Sequence, residues 1–244
     1  MNLKSCVSLS KQRCKVKIEK LKIDYGDQTL VDIAFEVKNS LALVGQSGSG
    51  KSLTLKSLLH MLPSEMEFEI QSNSDIKLGR EGDIALVVQN PFTALSPLTK
   101  IQDQFFVSKE RIKELFKALG LGEDLLKRYP PELSGGQLQR VVIAIAISHK
   151  PKLLLLDEPT TALDPQTRQT IIELLKKLQK KEGFKMLFVT HDIASAQTLC
   201  EDICVIRFGK LVECGTMTAV LESPKNEYTR TLIEANFANR EYRK

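Results

Sequence analysis

The chain has 244 residues, of which 42% are hydrophobic and 27% are charged, and its formal net charge is +5. This composition is typical of a globular protein, and the length suits one large domain or two small ones. Because the lysines are spread along the chain, the positive charge indicates solvated helix faces and does not favour a nucleic-acid partner.

The apolar segments are too short to span a membrane. The longest candidates, 141–147 and 153–156, fall well below the roughly 18–20 residues that a membrane-spanning helix needs. The N-terminal sequence scatters lysines among its apolar residues and lacks the continuous apolar core of a secretory signal. We therefore expect a cytoplasmic chain that does not cross a bilayer itself.

The cysteines predict reduced thiols. The chain contains Cys6, Cys14, Cys200, Cys204 and Cys214, an odd number with no CxxC pair. This pattern fits free cytosolic thiols better than a disulfide framework. The alternative is a metal site formed by the last three cysteines, but their spacing matches none of the usual ligand patterns.

The first part of the chain alternates strand and helix patterns. Region 16–44 reads as short strands separated by the turn Tyr25-Gly26-Asp27, and it ends in an apolar run at 41–44. A glycine-rich loop then opens a predicted helix over 51–62, which Pro63 stops.

A polar, turn-rich stretch at 64–82 precedes a predicted buried strand at 84–88. A mainly helical segment is predicted over 97–147, where Ser108 can cap one helix and Gly120 can terminate it.

Four leucines at 153–156 show no alternation, as expected for a parallel strand covered on both faces. A long helix then begins at Asp164-Pro165, and a strand is predicted at 186–189. Strands that alternate with helices predict an α/β core with a parallel sheet, into which a helical segment is inserted.

One glycine-rich motif predicts a phosphate-binding loop. It fits the pattern GxxxxGK[ST] between an apolar strand and a helix, and it consists of Gly45, Gln46, Ser47, Gly48, Ser49, Gly50, Lys51 and Ser52. The glycines let backbone N–H groups point at a phosphate, and the helix N-terminus adds partial positive charge. Lys51 is expected to reach the β- and γ-phosphates of a bound nucleotide, and Ser52 to bind Mg²⁺.

Two adjacent carboxylates follow the leucine strand. Asp157 and Glu158 lie where open α/β sheets place ligand chemistry, and neighbouring strand residues generally point in opposite directions. Asp157 is therefore expected to join the Mg²⁺ shell, and Glu158 to accept a proton from the water that attacks the γ-phosphate. The alternative is a simple polar strand exit.

The run Leu133-Ser134-Gly135-Gly136-Gln137, followed by Leu138-Gln139-Arg140, resembles the signature of ABC ATPases. Physically, Ser134, Gly135, Gly136 and Gln137 at the start of a predicted helix over 137–147 make a second anion site with free N–H groups. In the family, two cassettes face head to tail, and each ATP lies between one phosphate loop and the other subunit's signature.

The resemblance covers about 17–236 and implies roles for further residues. Tyr25 resembles the aromatic residue that stacks on adenine, and Gln89 the glutamine that touches Mg²⁺ and the attacking water. Segment 161–164 resembles the part of the cassette that crosses the dimer interface, although Asp164 also suits a helix N-cap. His191 occupies the position of a histidine that contacts the γ-phosphate.

The fold implied is a P-loop NTPase of the ABC cassette type: a RecA-like parallel-sheet core, an N-terminal antiparallel β subdomain and an inserted α-helical subdomain. We expect one domain over 1–244, with the nucleotide-binding core at 1–90 and 148–222, the helical subdomain at 91–147 and a tail at 223–244. Residues 1–15 precede the family's usual first strand, either as an extra strand or because of an upstream start codon.

The resemblance implies an ATPase on the cytoplasmic face of the membrane. Its partners would be a second cassette, identical or paralogous, integral-membrane permease subunits and, indirectly, an extracytoplasmic substrate-binding protein. The sequences QNPFTALSPLTKIQDQF and SPKNEYTRTLIEAN resemble the peptide/nickel importer branch. The absence of a cysteine-rich tail after Cys214 favours nickel or a metal chelate, with di- or oligopeptides as the alternative.

Other classes of function fit less well. DNA-repair ABC proteins carry a long coiled coil between the two phosphate motifs, and ribosome-acting ones carry two cassettes in one chain. A non-catalytic nucleotide-sensing module is expected to lose Glu158 or His191, and both are present.

Overall fold

The structure is a computed structural model that describes residues 14–80, 82–161 and 163–241, with side chains up to residue 236. Cys6 and Ala162, which entered the sequence predictions, lie outside the described residues, as do residues 1–13 as a whole.

Nine strands and seven α-helices make up the regular structure of this described part. The strands are β1 (Lys17–Tyr25), β2 (Gln28–Glu36), β3 (Ser40–Val44), β4 (Met66–Ser72), β5 (Ile84–Val87), β6 (Leu153–Asp157), β7 (Lys185–Thr190), β8 (Asp202–Arg207) and β9 (Lys210–Thr216). The helices are α1 (Lys51–Leu58), α2 (Lys109–Ala118), α3 (Gly135–Ser148), α4 (Pro165–Glu182), α5 (Ile193–Leu199), α6 (Met217–Glu222) and α7 (Glu227–Glu241).

Six strands form the central sheet, in the order β5-β6-β7-β3-β8-β9. All neighbouring pairs are parallel except β8 and β9, which are antiparallel. The carboxyl ends of β5, β6, β7 and β3 therefore meet at one edge of the sheet, which is where open α/β folds bind ligands. The predicted α/β fold with a parallel-sheet core is confirmed.

Strand β6 shows why this sheet forms the centre of the molecule. Leu154 and Leu156 pack into the apolar cluster on one face, and Leu153 and Leu155 pack into the cluster on the other. Each is 1% exposed or less, and full burial of a leucine side chain contributes about 1.5–3 kcal/mol. The prediction of a strand covered on both faces is confirmed.

A second, antiparallel sheet has the order β2-β1-β4, and it confirms the predicted N-terminal β subdomain. The sequence prediction missed strand β4, because region 64–82 was interpreted as polar and turn-rich. Met66, Phe68 and Ile70 in fact alternate with polar residues, which is the strand period. None of the three is fully buried, so the apolar signal is weak.

Helix α1 ends earlier than predicted. It stops at Leu58, well before Pro63, in a hydrogen-bonding pattern typical of a left-handed helix terminus. His60 has φ 52°, and the N–H groups of His60 and Met61 donate to the carbonyls of Ser57 and Lys56. The helix therefore closes without help from the proline.

The segment between β5 and β6 is helical, as predicted. It contains α2, α3 and four short 3-10 turns. Ser108 caps α2 by accepting a hydrogen bond from the N–H of Arg111, and Gly120 follows the helix with φ 63°. Helix α3 begins at Gly135, two residues before the predicted start, because Ser134 takes the N-cap position.

The cysteine prediction is corrected by the antiparallel pairing of β8 and β9. Cys204 and Cys214 are opposite each other in this ladder and form a disulfide bond, whereas Cys14 and Cys200 are free. Sequence spacing alone could not place the two sulfur atoms on facing strands. Within the described ranges, no group of three or more His, Cys, Asp or Glu residues could hold a metal ion.

The last part of the chain is helical. Helix α6 follows β9, and α7 begins after a loop at Ser223–Asn226 and packs Leu232 against the main apolar cluster. No helix in the described part of the chain has both the length and the apolar character needed to span a bilayer.

Candidate functional site

The glycine-rich loop connects β3 to α1 at the carboxyl edge of the central sheet. Gly48 has φ 77° and Gly50 has φ 102°, both in the left-handed region that favours glycine. A Cβ atom at Gly50 would also lie 2.6 Å from Cγ2 of Val31. The loop therefore curls in the way that lets successive N–H groups face one point, which suits an anion.

Lys51 lies at the first position of α1 and its side chain folds back over the loop. Its Nζ atom donates to the carbonyl oxygens of Gly45 and Gln46, at 2.9 Å each. Burial lowers the pKa of Lys51, and the nearby carboxylates of Glu158 and Asp157 partly offset this effect. The ammonium group is thus desolvated beside the loop, where it would strongly attract an anion.

Ser52 and Asp157 are in direct contact although they are far apart in sequence. The Ser52 hydroxyl donates to Oδ1 of Asp157 at 3.0 Å. Burial raises the pKa of Asp157; the Ser52 hydrogen bond lowers it, and the negative charge of Glu158 raises it further. A partly buried carboxylate beside a hydroxyl is a donor set that fits Mg²⁺, which takes few protein ligands and relies on substrate phosphates.

Glu158 is held by two side chains next to this pair. Its Oε2 atom lies 2.9 Å from Nδ1 of His191 and accepts a hydrogen bond from the Thr161 hydroxyl at 3.0 Å. Its backbone has φ 45°, an uncommon value for a residue with a side chain. The two adjacent acids therefore have different partners, Ser52 for Asp157 and the pair His191 and Thr161 for Glu158.

Gln89 follows β5, as predicted, and Tyr25, which was predicted to begin a turn, is the last residue of β1. Val87 pairs with Leu156, so Gln89 extends past β5 at the level of the acidic pair that follows β6. Gln89 is exposed, and Tyr25 at the end of β1 is 54% exposed. Both side chains are therefore accessible to a ligand.

The predicted second anion site forms the start of α3. Ser134 and Gln137 cap each other, because the Ser134 hydroxyl accepts from the Gln137 N–H at 3.3 Å and Oε1 of Gln137 accepts from the Ser134 N–H at 2.9 Å. A Cβ at Gly135 would meet open space, whereas one at Gly136 would lie 2.7 Å from Cγ2 of Thr167. No hydrogen bond between described residues joins this segment to the phosphate loop.

Three features of the site were not predicted. The Thr161 hydroxyl donates a hydrogen bond to the carboxylate of Glu158. The Tyr228 hydroxyl accepts a hydrogen bond from the loop N–H of Gln46 at 3.2 Å. Oγ of Ser49 is buried and has no hydrogen-bond partner among the described residues. The contact between Gln46 and Tyr228 joins segments that are distant in sequence, so it carries no local sequence signal. Thr161 lies only three residues after Glu158, but the sequence analysis assigned it to the dimer interface and gave it no role beside Glu158. The unpartnered hydroxyl of Ser49 lies within the loop itself and fits a polar ligand there.

A parallel sheet that places this loop, an acidic pair and a histidine at one edge defines a P-loop nucleotide-binding protein. Residues 30–161 match the family model described as ABC transporter. The chain belongs to the ABC transporter family.

Similar curated proteins are ATP-binding proteins of transporters. The chain is 39% identical to the peptidoglycan transport ATP-binding protein YejF of Agrobacterium fabrum, over 80% of this chain and 41% of that protein. It is 35% identical to the oligopeptide transport ATP-binding protein OppD of Bacillus subtilis, over 83% of this chain and 64% of that protein. It is 35% identical to the dipeptide transport ATP-binding protein DppD of Haemophilus influenzae, over 89% of this chain and 76% of that protein.

A solved structure shows the same fold. The cbiO1 protein from Clostridium perfringens, described as part of the ABC transporter complex cbiONQ, matches with a TM-score of 0.72 and 26% identity. The match covers 93% of this chain and 97% of that one.

The three curated relatives differ in how much of them this chain spans, from 41% of YejF to 76% of DppD. Their names refer to peptidoglycan, oligopeptide and dipeptide transport, and none of the three refers to nickel. The names of these relatives therefore do not support the expected nickel substrate, and they agree with the alternative expectation of a peptide substrate.

Proposed function

We propose that this chain is the ATP-hydrolysing subunit of an importer for peptides or peptide-like substrates. ATP hydrolysis is supported by the contact between Glu158 and His191, next to the Ser52–Asp157 pair and the buried Lys51, and the peptide substrate is supported by the names of the similar transporters. A binding module that only senses nucleotide needs the loop and the lysine. The held carboxylate and histidine are what hydrolysis needs in addition.

The residues act on ATP in the following roles. Backbone N–H groups of the loop cradle the phosphates, and Lys51 neutralises the β- and γ-phosphates. Ser52, Asp157 and Gln89 would hold Mg²⁺, whose positive charge offsets the negative charge of the phosphate oxygens.

Glu158 is the general base in this proposal. Its carboxylate accepts the proton of the attacking water, and His191 orients that carboxylate and reaches toward the γ-phosphate. Tyr25 would stack on the adenine ring, because an exposed tyrosine at a strand end offers a free aromatic face.

The second anion site supports a dimer of cassettes. Ser134, Gly135, Gly136 and Gln137 form a helix start that no hydrogen bond between described residues joins to the same chain's phosphate loop, and the reciprocal cap of Ser134 and Gln137 leaves the N–H groups of Gly135 and Gly136 as the free donors. These groups would bind the γ-phosphate of ATP held by a second cassette, identical or paralogous. Each nucleotide would then lie between two chains, and its binding would favour the closed dimer because only that state makes both sets of contacts.

The family and the names of the similar proteins support the proposed transport role. The dimer would work at the cytoplasmic face of the membrane with integral-membrane permease subunits and, through them, an extracytoplasmic binding protein. We assign 1–90 and 148–222 to the nucleotide-binding core, 91–147 to a helical subdomain and 223–244 to a C-terminal segment, within one domain.

The proposal is tested in two assays. In the first, ATP turnover of the purified chain is compared with that of the Lys51→Ala variant, and loss of turnover is expected. A wild-type protein that binds ATP but does not hydrolyse it, alone or with its permease, would establish the nucleotide-sensing alternative instead.

In the second assay, host cells that express wild type or Lys51→Ala at equal levels take up a labelled tripeptide or labelled Ni²⁺. We expect tripeptide uptake to collapse in the variant while Ni²⁺ uptake stays unchanged. The reverse pattern would assign nickel as the substrate and overturn the peptide proposal.

A further inference from the structure

Helix α7 contacts two segments of the nucleotide site at once. The Tyr228 hydroxyl accepts a hydrogen bond from the backbone N–H of Gln46, the second residue of the phosphate loop, at 3.2 Å. Two turns further along the same helix, Oδ1 of Asn236 accepts a hydrogen bond from the N–H of Ile193 at 3.1 Å. Ile193 begins α5, directly after His191 and Asp192.

Tyr228 is fixed in place by its surroundings. Asn226 caps the start of the helix by accepting from the N–H of Tyr228 at 2.9 Å, and the carboxylate of Glu213 accepts from the N–H groups of Lys225 and Asn226. The guanidinium carbon of Arg207 lies 4.7 Å from the centre of the Tyr228 ring, in a cation–π arrangement. The hydroxyl therefore reaches the loop from a ring that has little freedom to move.

Asn236 completes the start of α5. The Asp192 side chain accepts from the N–H groups of Ala194 and Ser195, which leaves the N–H of Ile193 without a partner from its own helix. Asn236 supplies that acceptor, and its own Nδ2 donates to the carbonyl of Leu232. The amide is thus oriented by α7 toward the segment that carries His191.

Packing around the first contact is loose. Two cavities, of about 580 Å³ and 840 Å³, lie beside α7, and both are lined by Gln46, Leu232 and Ala235. Within the loop, the Gln46 carbonyl accepts hydrogen bonds from Nζ of Lys51 and from the N–H of Ser49, whereas the hydrogen bond from the Gln46 N–H to Tyr228 ties the first turn of the loop to α7.

We propose that Tyr228 and Asn236 are positioning residues, through which α7 holds the phosphate loop and the His191 segment in fixed relation to each other. Neither side chain needs to touch ATP. Tyr228 acts on the binding of phosphates through the loop, whereas Asn236 acts on hydrolysis through the position of His191. This inference rests on the proposed ATPase function.

The first test is Tyr228→Phe, which removes the hydroxyl and keeps the ring beside Arg207. One hydrogen bond is worth about 0.5–1.5 kcal/mol, so we expect the KM for ATP to rise about 2- to 12-fold while kcat changes by less than about twofold. GTP should lose affinity by the same factor, because the loop binds phosphates and not the base. Thr231→Val is the matched control: the Thr231 hydroxyl lies on the same helix but donates only to the carbonyl of Glu227.

The second test compares Asn236→Leu with Asn236→Asp. The leucine variant lacks the acceptor for Ile193, and we expect its kcat to fall while its KM stays near that of wild type. The aspartate variant keeps the acceptor oxygen, and we expect it to retain most of the wild-type kcat. Thermal melting of each nucleotide-free variant shows whether the fold is intact.

An unchanged KM in Tyr228→Phe, or an equal rise in Thr231→Val, would overturn the role of Tyr228. Equal loss of kcat in both Asn236 variants would overturn that of Asn236. An inactive wild-type protein would contradict the proposed function itself, whereas an active wild type with unaltered variants would contradict only the positioning roles.

Discussion

Oε2 of Glu158 lies 2.9 Å from Nδ1 of His191 and also accepts a hydrogen bond from the hydroxyl of Thr161. Two side chains thereby hold the carboxylate of Glu158, whereas that of Asp157 accepts its hydrogen bond from Ser52. General-base catalysis depends on this kind of fixed geometry, because the base must lie within hydrogen-bonding reach of the attacking water.

Glu158→Gln is expected to keep ATP binding and lower turnover. The amide preserves the size of the side chain and can still contact Thr161, but it cannot accept a proton. Loss of a general base costs about 10²–10⁴ in rate, so kcat should fall by that range while the Kd for ATP stays within a few-fold. Turnover and equilibrium ATP binding are measured on the same preparation. Normal turnover in this variant would rule out Glu158 as the base.

Lys51→Ala should abolish tight ATP binding. The buried ammonium group of Lys51 is the cation in contact with the loop carbonyls of Gly45 and Gln46. Lys56→Ala is the matched control, since Lys56 is on the same helix but exposed. Equal loss of ATP binding in the two variants, measured by calorimetry, would show that the effect is one of net charge and not of position.

Asp157→Asn is expected to stabilise the nucleotide-free protein at neutral pH and to abolish Mg²⁺-dependent hydrolysis. Burial raises the pKa of Asp157 in the folded state, so its ionised form is disfavoured by folding. Asp157 therefore does not lower the free energy of unfolding below the ordinary aspartate pKa, where it is protonated in both states. Its ionisation lowers that free energy as the pH rises from the ordinary pKa through the higher pKa of the folded state.

Melting temperatures of wild type and Asp157→Asn should therefore differ at pH 7 and converge on acidification. A variant that melts at or below the wild-type temperature at pH 7 would contradict a raised pKa for Asp157. A variant that retains Mg²⁺-dependent turnover would contradict its role as a metal ligand.

Arg111→Met should destabilise the fold by roughly 3–5 kcal/mol, the usual cost of leaving a buried charge without its partner. Arg111 on α2 makes two hydrogen bonds to Glu182 at the end of α4, at 3.0 Å and 2.9 Å, and also donates to the carbonyls of Ile147 and Ser148. The side chains of Arg111 and Glu182 are only 11% and 10% exposed.

Arg128→Met provides the comparison, because Arg128 pairs with Asp124 at the surface. An exposed ion pair contributes about 0–1 kcal/mol, so this variant should unfold almost as wild type does. Urea unfolding of both variants gives the free energies. Equal losses of unfolding free energy in the two variants would show that the hydrogen bonds of Arg111 do not stabilise the packing of α2 against α3 and α4.

The cassette dimer predicts complementation between two inactive variants. Gly135→Asp fits sterically, because a Cβ at this position meets no atom within 4 Å, but its charge should repel the partner's phosphate. Mixed dimers of Gly135→Asp and Lys51→Ala contain one site with an intact loop and an intact signature. We expect ATP turnover to return on mixing; two proteins that stay inactive when mixed, with active wild type, would contradict a head-to-tail homodimer.

Local motifs made most of the site predictable. The loop at Gly45–Ser52, the acidic pair after β6 and the N-cap Ser134 each follow from residue type and spacing within a few positions. The contacts that join these motifs, such as Ser52 to Asp157, depend on strands that are neighbours in space but distant in sequence. The pairing of parallel strands places these motifs side by side. Residue patterns predict that parallel strands will pair, but they do not predict which strands become neighbours.

The missed features have the same physical origin. Strand β4 pairs with β1, which is distant in sequence, and the disulfide joins facing residues of β8 and β9. The contact of α7 with Gln46 depends on the hydroxyl of Tyr228, 182 residues further along the chain. Helix α1 ends early because His60 adopts a left-handed conformation. The prediction placed the helix end next to Pro63 and did not consider this uncommon backbone conformation for a residue with a side chain.

The reciprocal cap at the start of α3 limits what that helix end can distinguish. Ser134 and Gln137 satisfy each other's N–H groups, so the donors still free at this end are the backbone N–H groups of Gly135 and Gly136. Backbone donors on residues without side chains recognise charge and shape, but they do not discriminate one purine from another. Any preference for adenine over guanine must therefore be decided elsewhere in the assembly, and this surface would accept every nucleoside triphosphate alike.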